Sequence, residues 1–118
     1  MIAVIFEVEP RDGHMDAYLD LAASLRPILE ATEGFISVER FQSLTDPKKM
    51  LSLSFFEDED AVRRWRNTME HRGAQARGRG GVFAGYRLRV AQVIRDYGLD
   101  DRAEAPEDSR RHHDSGGA

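Results

Sequence analysis

The sequence predicts an α+β domain whose elements run β-α-β-β-α-β. Four stretches alternate apolar and other residues with period two, the spacing of strands. Two stretches between them repeat apolar residues every three or four positions, the spacing of helices. The length of 118 residues and 41% hydrophobic content fit one domain with a modest core.

The first strand is IAVIFEVE. Ile2, Val4, Phe6 and Val8 share one face, and Ala3, Ile5, Glu7 and Glu9 the other. Arg11-Asp12-Gly13 breaks it, with Asp12 placed to cap the next element. Residues 14–31 read as a helix on Met15, Tyr18, Leu21, Ala22, Leu25, Ile28 and Leu29. Pro27 removes one backbone bond and predicts a kink in the last turn rather than an end. Gly34 lets the chain turn. FISVERFQS is the second strand, residues 45–48 a turn, and KMLSLSFFE the third strand. In the third, Leu51, Leu53 and Phe55 point one way, and Met50, Ser52, Ser54 and Phe56 the other.

Acids at 57–60 suit the start of a second helix, where free amides and the dipole favour them. Ala61, Val62, Trp65, Thr68, Met69 and Arg72 come next at helical spacing. Four glycines then predict a broken helical piece over 73–81. From Phe83 the chain is strand-like, with Tyr86, Leu88, Val90, Gln92 and Ile94 on one face. The domain is expected to span 1–98, with a polar, mobile tail over 99–118.

This order is the split βαβ arrangement of ferredoxin-like folds. Right-handed crossovers put both helices on one side of an antiparallel sheet. The other side still carries apolar residues, which predicts a homodimer closed through that sheet face.

Composition narrows the function classes. There is no cysteine, which removes disulfides and thiolate chemistry and fits a reducing, cytoplasmic setting. The opening apolar run lacks a basic flank and stops at Pro10, too short for a signal peptide or a membrane span. The formal charge of −4 comes from residues 96–118, while 1–95 are balanced. Nine arginines and one acid, Glu70, lie between Arg63 and Arg95. Such a stretch suits an anionic ligand or a solvated face. No nucleic-acid-binding pattern accompanies it. The four histidines make no metal-ligand set, and the glycines at 78–81 lack the lysine and hydroxyl of a phosphate loop.

FISVERFQS, SLSFF leading into DEDAVRRWR, MEHRGAQARGR and YRLRVAQVIRDYG resemble the antibiotic biosynthesis monooxygenase (ABM) superfamily over about residues 1–100. The likeness is to its bacterial branch of small stress- or housekeeping-type proteins. It implies a dimeric α+β barrel with a pocket between sheet and helices in each subunit. It also implies cofactor-independent oxidation of aromatic or quinol substrates, or haem degradation. Haem-degrading relatives use an Asn, a Trp and a His at positions that match Phe6, Trp65 and Gln75 here. Only the Trp is retained, which argues against haem.

The candidate catalytic residues are therefore Trp65, as a wall stacking on a planar substrate, and His71, as a general base near neutrality. Phe6, Asn67, Gln75, Tyr86 and Arg87 are candidate substrate-binding residues, with no metal or cofactor required. Each has a plainer reading: Trp65 as core, His71 as a helix-end residue, and Arg87 and Arg89 as partners of Glu7, Glu9 or Glu39 on neighbouring strands. Three functions are in contention: an ABM-type monooxygenase on a small aromatic or quinol substrate, a non-catalytic ligand-binding or stress-associated dimer, and a haem-binding or haem-degrading protein; the expected partners are a second copy of the chain and a small aromatic or anionic ligand. A cavity of roughly 300 Å³ or more lined by His71 or Tyr86 favours the enzyme; a closed core around Trp65 favours the binder.

Overall fold

The computed structural model of the chain describes residues 1–71 and 81–114. In order these are β1 (Ile2–Pro10), α1 (Met15–Glu30), β2 (Phe35–Gln42), β3 (Met50–Phe56), α2 (Glu59–His71), β4 (Phe83–Gln92) and a short α3 (Glu107–Ser109), with a π-helical turn over Arg110–Asp114. The strands form one antiparallel sheet in the order β2-β3-β1-β4. That is the ferredoxin-like α+β topology the residue periodicities predict.

Pairing register fixes the two faces, because residues opposite one another in an antiparallel pair share a side. Val4 pairs with Ser54 and Val90, and Phe6 with Ser52 and Leu88. These residues face the helices. Their main cluster joins Ile2, Val4, Val38 and Phe56 from the sheet to Leu29 of α1 and Ala61 and Val62 of α2. A second cluster joins Val8 and Met50 to Tyr18 of α1. The opposite face carries Ala3, Ile5 and Glu7 with Leu51, Leu53 and Phe55, flanked by Glu39 and Phe41 on β2 and Arg87 and Arg89 on β4. On that face Arg89 pairs with Glu7 at 3.4 Å.

The helix ends differ from one another. Before α1, the N-cap is His14 and no side chain caps it. Asp12 does not cap, contrary to the sequence reading: its carbonyl faces His14 Nδ1 instead, at 3.0 Å. Pro27 sits inside α1, which runs on to Glu30. Ahead of α2, Asp58 Oδ1 accepts the Ala61 backbone N–H at 2.9 Å, as the acidic run predicts. The expected helical break at 73–81 lies almost wholly outside the described residues. Beyond β4 the polar tail makes local contacts. Arg110 donates to the carbonyls of Arg102 and Ala103, Arg102 stacks over Tyr97, and Ala105 is buried. Among the described residues no helix is long and apolar enough to cross a membrane.

Candidate functional site

The helices do not cover the whole inner face. Tyr86, Leu88 and Val90 point to the helix side, yet each stays nearly half exposed. Two helices on four strands leave the β4 side open, and a cavity of about 260 Å³ lies there. Its floor is Val4, Phe6, Val38, Arg40, Ser52 and Ser54, with Tyr86, Leu88 and Val90 of β4 beside them. Tyr18, Leu21, Ala22 and Leu29 of α1 and Val62, Trp65, Arg66 and Met69 of α2 form the roof.

Strand alternation builds the floor. The period-two face of β1 supplies Val4 and Phe6; its pairing with β3 brings Ser54 and Ser52 alongside. Small hydroxyl residues on a helix-facing side leave room that leucines would fill. Helical spacing builds the roof: Val62, Trp65, Arg66 and Met69 lie on one stripe of α2. One end is aromatic. Phe6 lies 5.5 Å from Tyr86 and 5.8 Å from Phe83, ring centre to ring centre, and Tyr18 lies 6.0 Å from Phe83. Such spacings are normal for tilted aromatic contacts. Trp65, half-buried, packs against the Val4–Phe56 cluster.

Polar groups are few. Ser52, Ser54, Tyr18, Tyr86, Arg40, Arg66 and the indole N–H of Trp65 supply them, and the described lining holds no carboxylate. Two polar atoms there are sealed from solvent without a hydrogen-bond partner among the described residues: the Tyr18 hydroxyl and Arg40 Nε. No group of three or more His, Asp or Glu suited to a metal ion occurs among the described residues.

Of the sequence-predicted site residues, Phe6, Trp65 and Tyr86 meet in the cavity. Asn67 is exposed on α2 and is not part of the lining. Arg87 lies on the other face of the sheet, in register with Glu7, because strand neighbours alternate. Gln75 falls outside the described residues. His71 closes α2. Its Cα falls about half a turn round the helix axis from that of Met69; its side chain is outside the described set. Arg40, Tyr18, Ser52 and Ser54 were not singled out as site residues from sequence. Arg40 carried a readable signal: it lies two residues from Val38, on the face of β2 that the alternation turns inward.

A family model described as antibiotic biosynthesis monooxygenase matches residues 1–77. A jasmonate monooxygenase ABM of Pyricularia oryzae is 50% identical over 93 residues. The match covers 79% of this chain and 43% of that protein, so the chain spans less than half its length. The YqjZ protein of Bacillus subtilis is 28% identical over 93 residues, 79% of either chain. Among solved structures, Rv0793 from Mycobacterium tuberculosis aligns with a TM-score of 0.73 at 15% identity, over 82% of this chain and 98% of its own. PA3566 from Pseudomonas aeruginosa aligns with a TM-score of 0.68 at 19% identity, over 79% and 93%. At those identities the likeness is one of fold.

Proposed function

Because this chain belongs to the antibiotic biosynthesis monooxygenase family, we propose that it is a monooxygenase-type oxidoreductase acting on a small aromatic or quinol substrate in the cavity between sheet and helices. The observation that carries this reading is the shape of the cavity lining. Trp65 on the roof and Phe6, Phe83 and Tyr86 at one end offer aromatic faces to a planar ring. Its volume of about 260 Å³ lies just below the usual range of roughly 300–1,000 Å³ for small-molecule pockets, which limits the proposal to a small ligand, while Tyr86 lines it as the enzyme reading expects.

The chemistry needs no external reductant when the substrate has an acidic methylene between two rings, as anthrones do. Loss of one proton gives an electron-rich carbanion in resonance with a phenolate. That carbon then loses both C–H bonds and gains C=O, while the second oxygen atom leaves as water. The electrons carbon gives up equal those dioxygen accepts, so the balance closes without flavin or metal. An apolar enclosure strengthens whatever electrostatic contacts the developing anion makes. His71, at the end of α2, is our candidate for taking the first proton, although its backbone position lies opposite the stripe of Val62, Trp65, Arg66 and Met69 that lines the cavity, so the role requires the last turn of α2 to bring it round.

The Pyricularia relative is named for jasmonate, which makes a compact alicyclic acid the second candidate substrate. Hydroxylating such a molecule would take a two-electron donor in addition to dioxygen. A non-catalytic binding role is the second functional reading. It draws on the described lining, which offers hydroxyls and guanidinium groups rather than a carboxylate.

Oxygen uptake with a panel of anthrones and quinols separates the two. The enzyme reading expects uptake above the buffer rate and a clear loss in Trp65→Ala; a loss of roughly a hundredfold in His71→Ala identifies His71 as the base, and an unchanged rate removes it from the reaction. No uptake with any member by the folded protein leaves the binder. A homodimer through the outer sheet face and a cytoplasmic location belong to the same proposal. Ile5, Leu51, Leu53 and Phe55 on that face, and the absence of cysteine, support them.

A further inference from the structure

Resting on the reading of this cavity as the substrate site, we propose that its ligand carries a carboxylate, seated on Arg40 and the Tyr18 hydroxyl. Both side chains line the cavity. Tyr18 is 4% exposed, and its hydroxyl reaches no acceptor or donor among the described residues. Arg40 Nε is likewise buried and unpartnered. Burying two such donors unmet is unfavourable, and native interiors rarely do it. They are therefore expected to meet an acceptor that enters the cavity.

Charge says which acceptor. Arg40 and Arg66 both border the cavity, and no Asp or Glu among the described residues does. Arg40 forms no ion pair within the described chain. The neighbouring face of the sheet behaves otherwise: there Arg89 has Glu7 as a partner. An apolar cavity whose described lining holds positive charge and no counter-charge selects an apolar anion. A carboxylate matches the guanidinium fork through Nε and one terminal nitrogen, leaving an oxygen lone pair for a phenol.

Sheet register supports a shared seat. Arg40 stands in the row of Ser52, Phe6 and Leu88, while Tyr18 packs on Val8 and Met50, the next row of the same face. Ligand carbon would then run from this polar corner along the apolar floor toward Val4 and Trp65.

The test is anaerobic calorimetric titration of the full chain with jasmonic acid and with its methyl ester, at neutral pH. The two probes differ in charge at one group. Wild type is expected to bind the acid at least about tenfold more tightly than the ester, the scale of one charge-assisted hydrogen bond. In Arg40→Gln the preference should fall to near unity. Tyr18→Phe keeps the ring and should lose a few-fold of it. Arg26→Gln, a surface charge control, should keep it. Equal binding of acid and ester by wild type overturns the proposal, and so does binding of neither. A preference surviving both cavity variants overturns it as well. Binding is read without turnover. Acid preference without any oxygen uptake would keep this inference and remove the oxygenase. Oxygen uptake without acid preference would do the reverse.

Discussion

Single residues decide whether the elements can meet. Gly34, between α1 and β2, has φ +89°, and a Cβ there would lie 2.6 Å from the Ala61 Cβ on α2. Backbone conformation and close packing both demand glycine. Gly13 has φ +79° but open space around it, and Gly85 has neither constraint. The three should rank accordingly in urea unfolding. Gly34→Ala should cost about 2–4 kcal/mol, from left-handed strain plus overpacking. Gly13→Ala should cost about 1 kcal/mol, and Gly85→Ala should stay within about 0.5 kcal/mol. Equal losses at 13 and 34 would mean that the contact with Ala61 is unimportant. Residue identity was also where the site was least legible. Trp65, Phe6 and Tyr86 stood out because large aromatics on an inward stripe are easily recognised. Tyr18 read as core, which it also is. Its unmet hydroxyl depends on what surrounds it in space, and no spacing along a chain reports that. Alternation groups Ser52 and Ser54 with Met50 and Phe56 on one face of β3, but it does not say that this face is the cavity floor.

At the scale of elements, periodicity was nearly sufficient. The strands were legible because one face of each had to be apolar, and a one-residue slip would bury Glu7, Glu39 or Arg89. Ends were harder. Asp12 and Asp58 are the same residue type ahead of a helix, yet only Asp58 caps. The difference lies in spacing: Asp58 stands immediately before α2, whereas Asp12 is separated from α1 by Gly13 and His14. Replacing Asp58 with alanine should lower stability by about 1 kcal/mol through the lost Ala61 N–H acceptor. Asp60→Ala removes an exposed pair with Arg63 and should cost less. Thermal and urea melts of the two variants check the order. Arg87 illustrates the remaining difficulty. A stretch rich in arginine suggested an anion site, but alternation sends Arg87 and Arg89 to the face opposite the cavity. Of the two arginines that line the cavity, Arg66 belongs to that stretch, on α2, and Arg40 comes from β2, well outside it.

The whole molecule has two unequal faces. One packs under α1 and α2 and holds the cavity. The other presents Ile5, Leu51, Leu53 and Phe55 with a border of ionised side chains. A second copy of the chain would cover that outer face and leave both cavities accessible from their helical sides. Light scattering should therefore give twice the chain mass for wild type. Leu53→Lys, centred between Ile5 and Glu39 in the register, should give one chain mass while remaining folded. A monomeric wild type, or a Leu53→Lys dimer, would show that the outer face is not a dimer interface.

On the proposed function, the cavity brings a ring substrate and dioxygen together. The most direct measurement is mass spectrometry of the product formed from anthrone under ¹⁸O₂. One labelled oxygen per product molecule is expected, at a rate well above buffer and falling at least about tenfold in Trp65→Ala. An unlabelled product, or a labelled one formed at the buffer rate by folded wild-type protein, would contradict the proposed function.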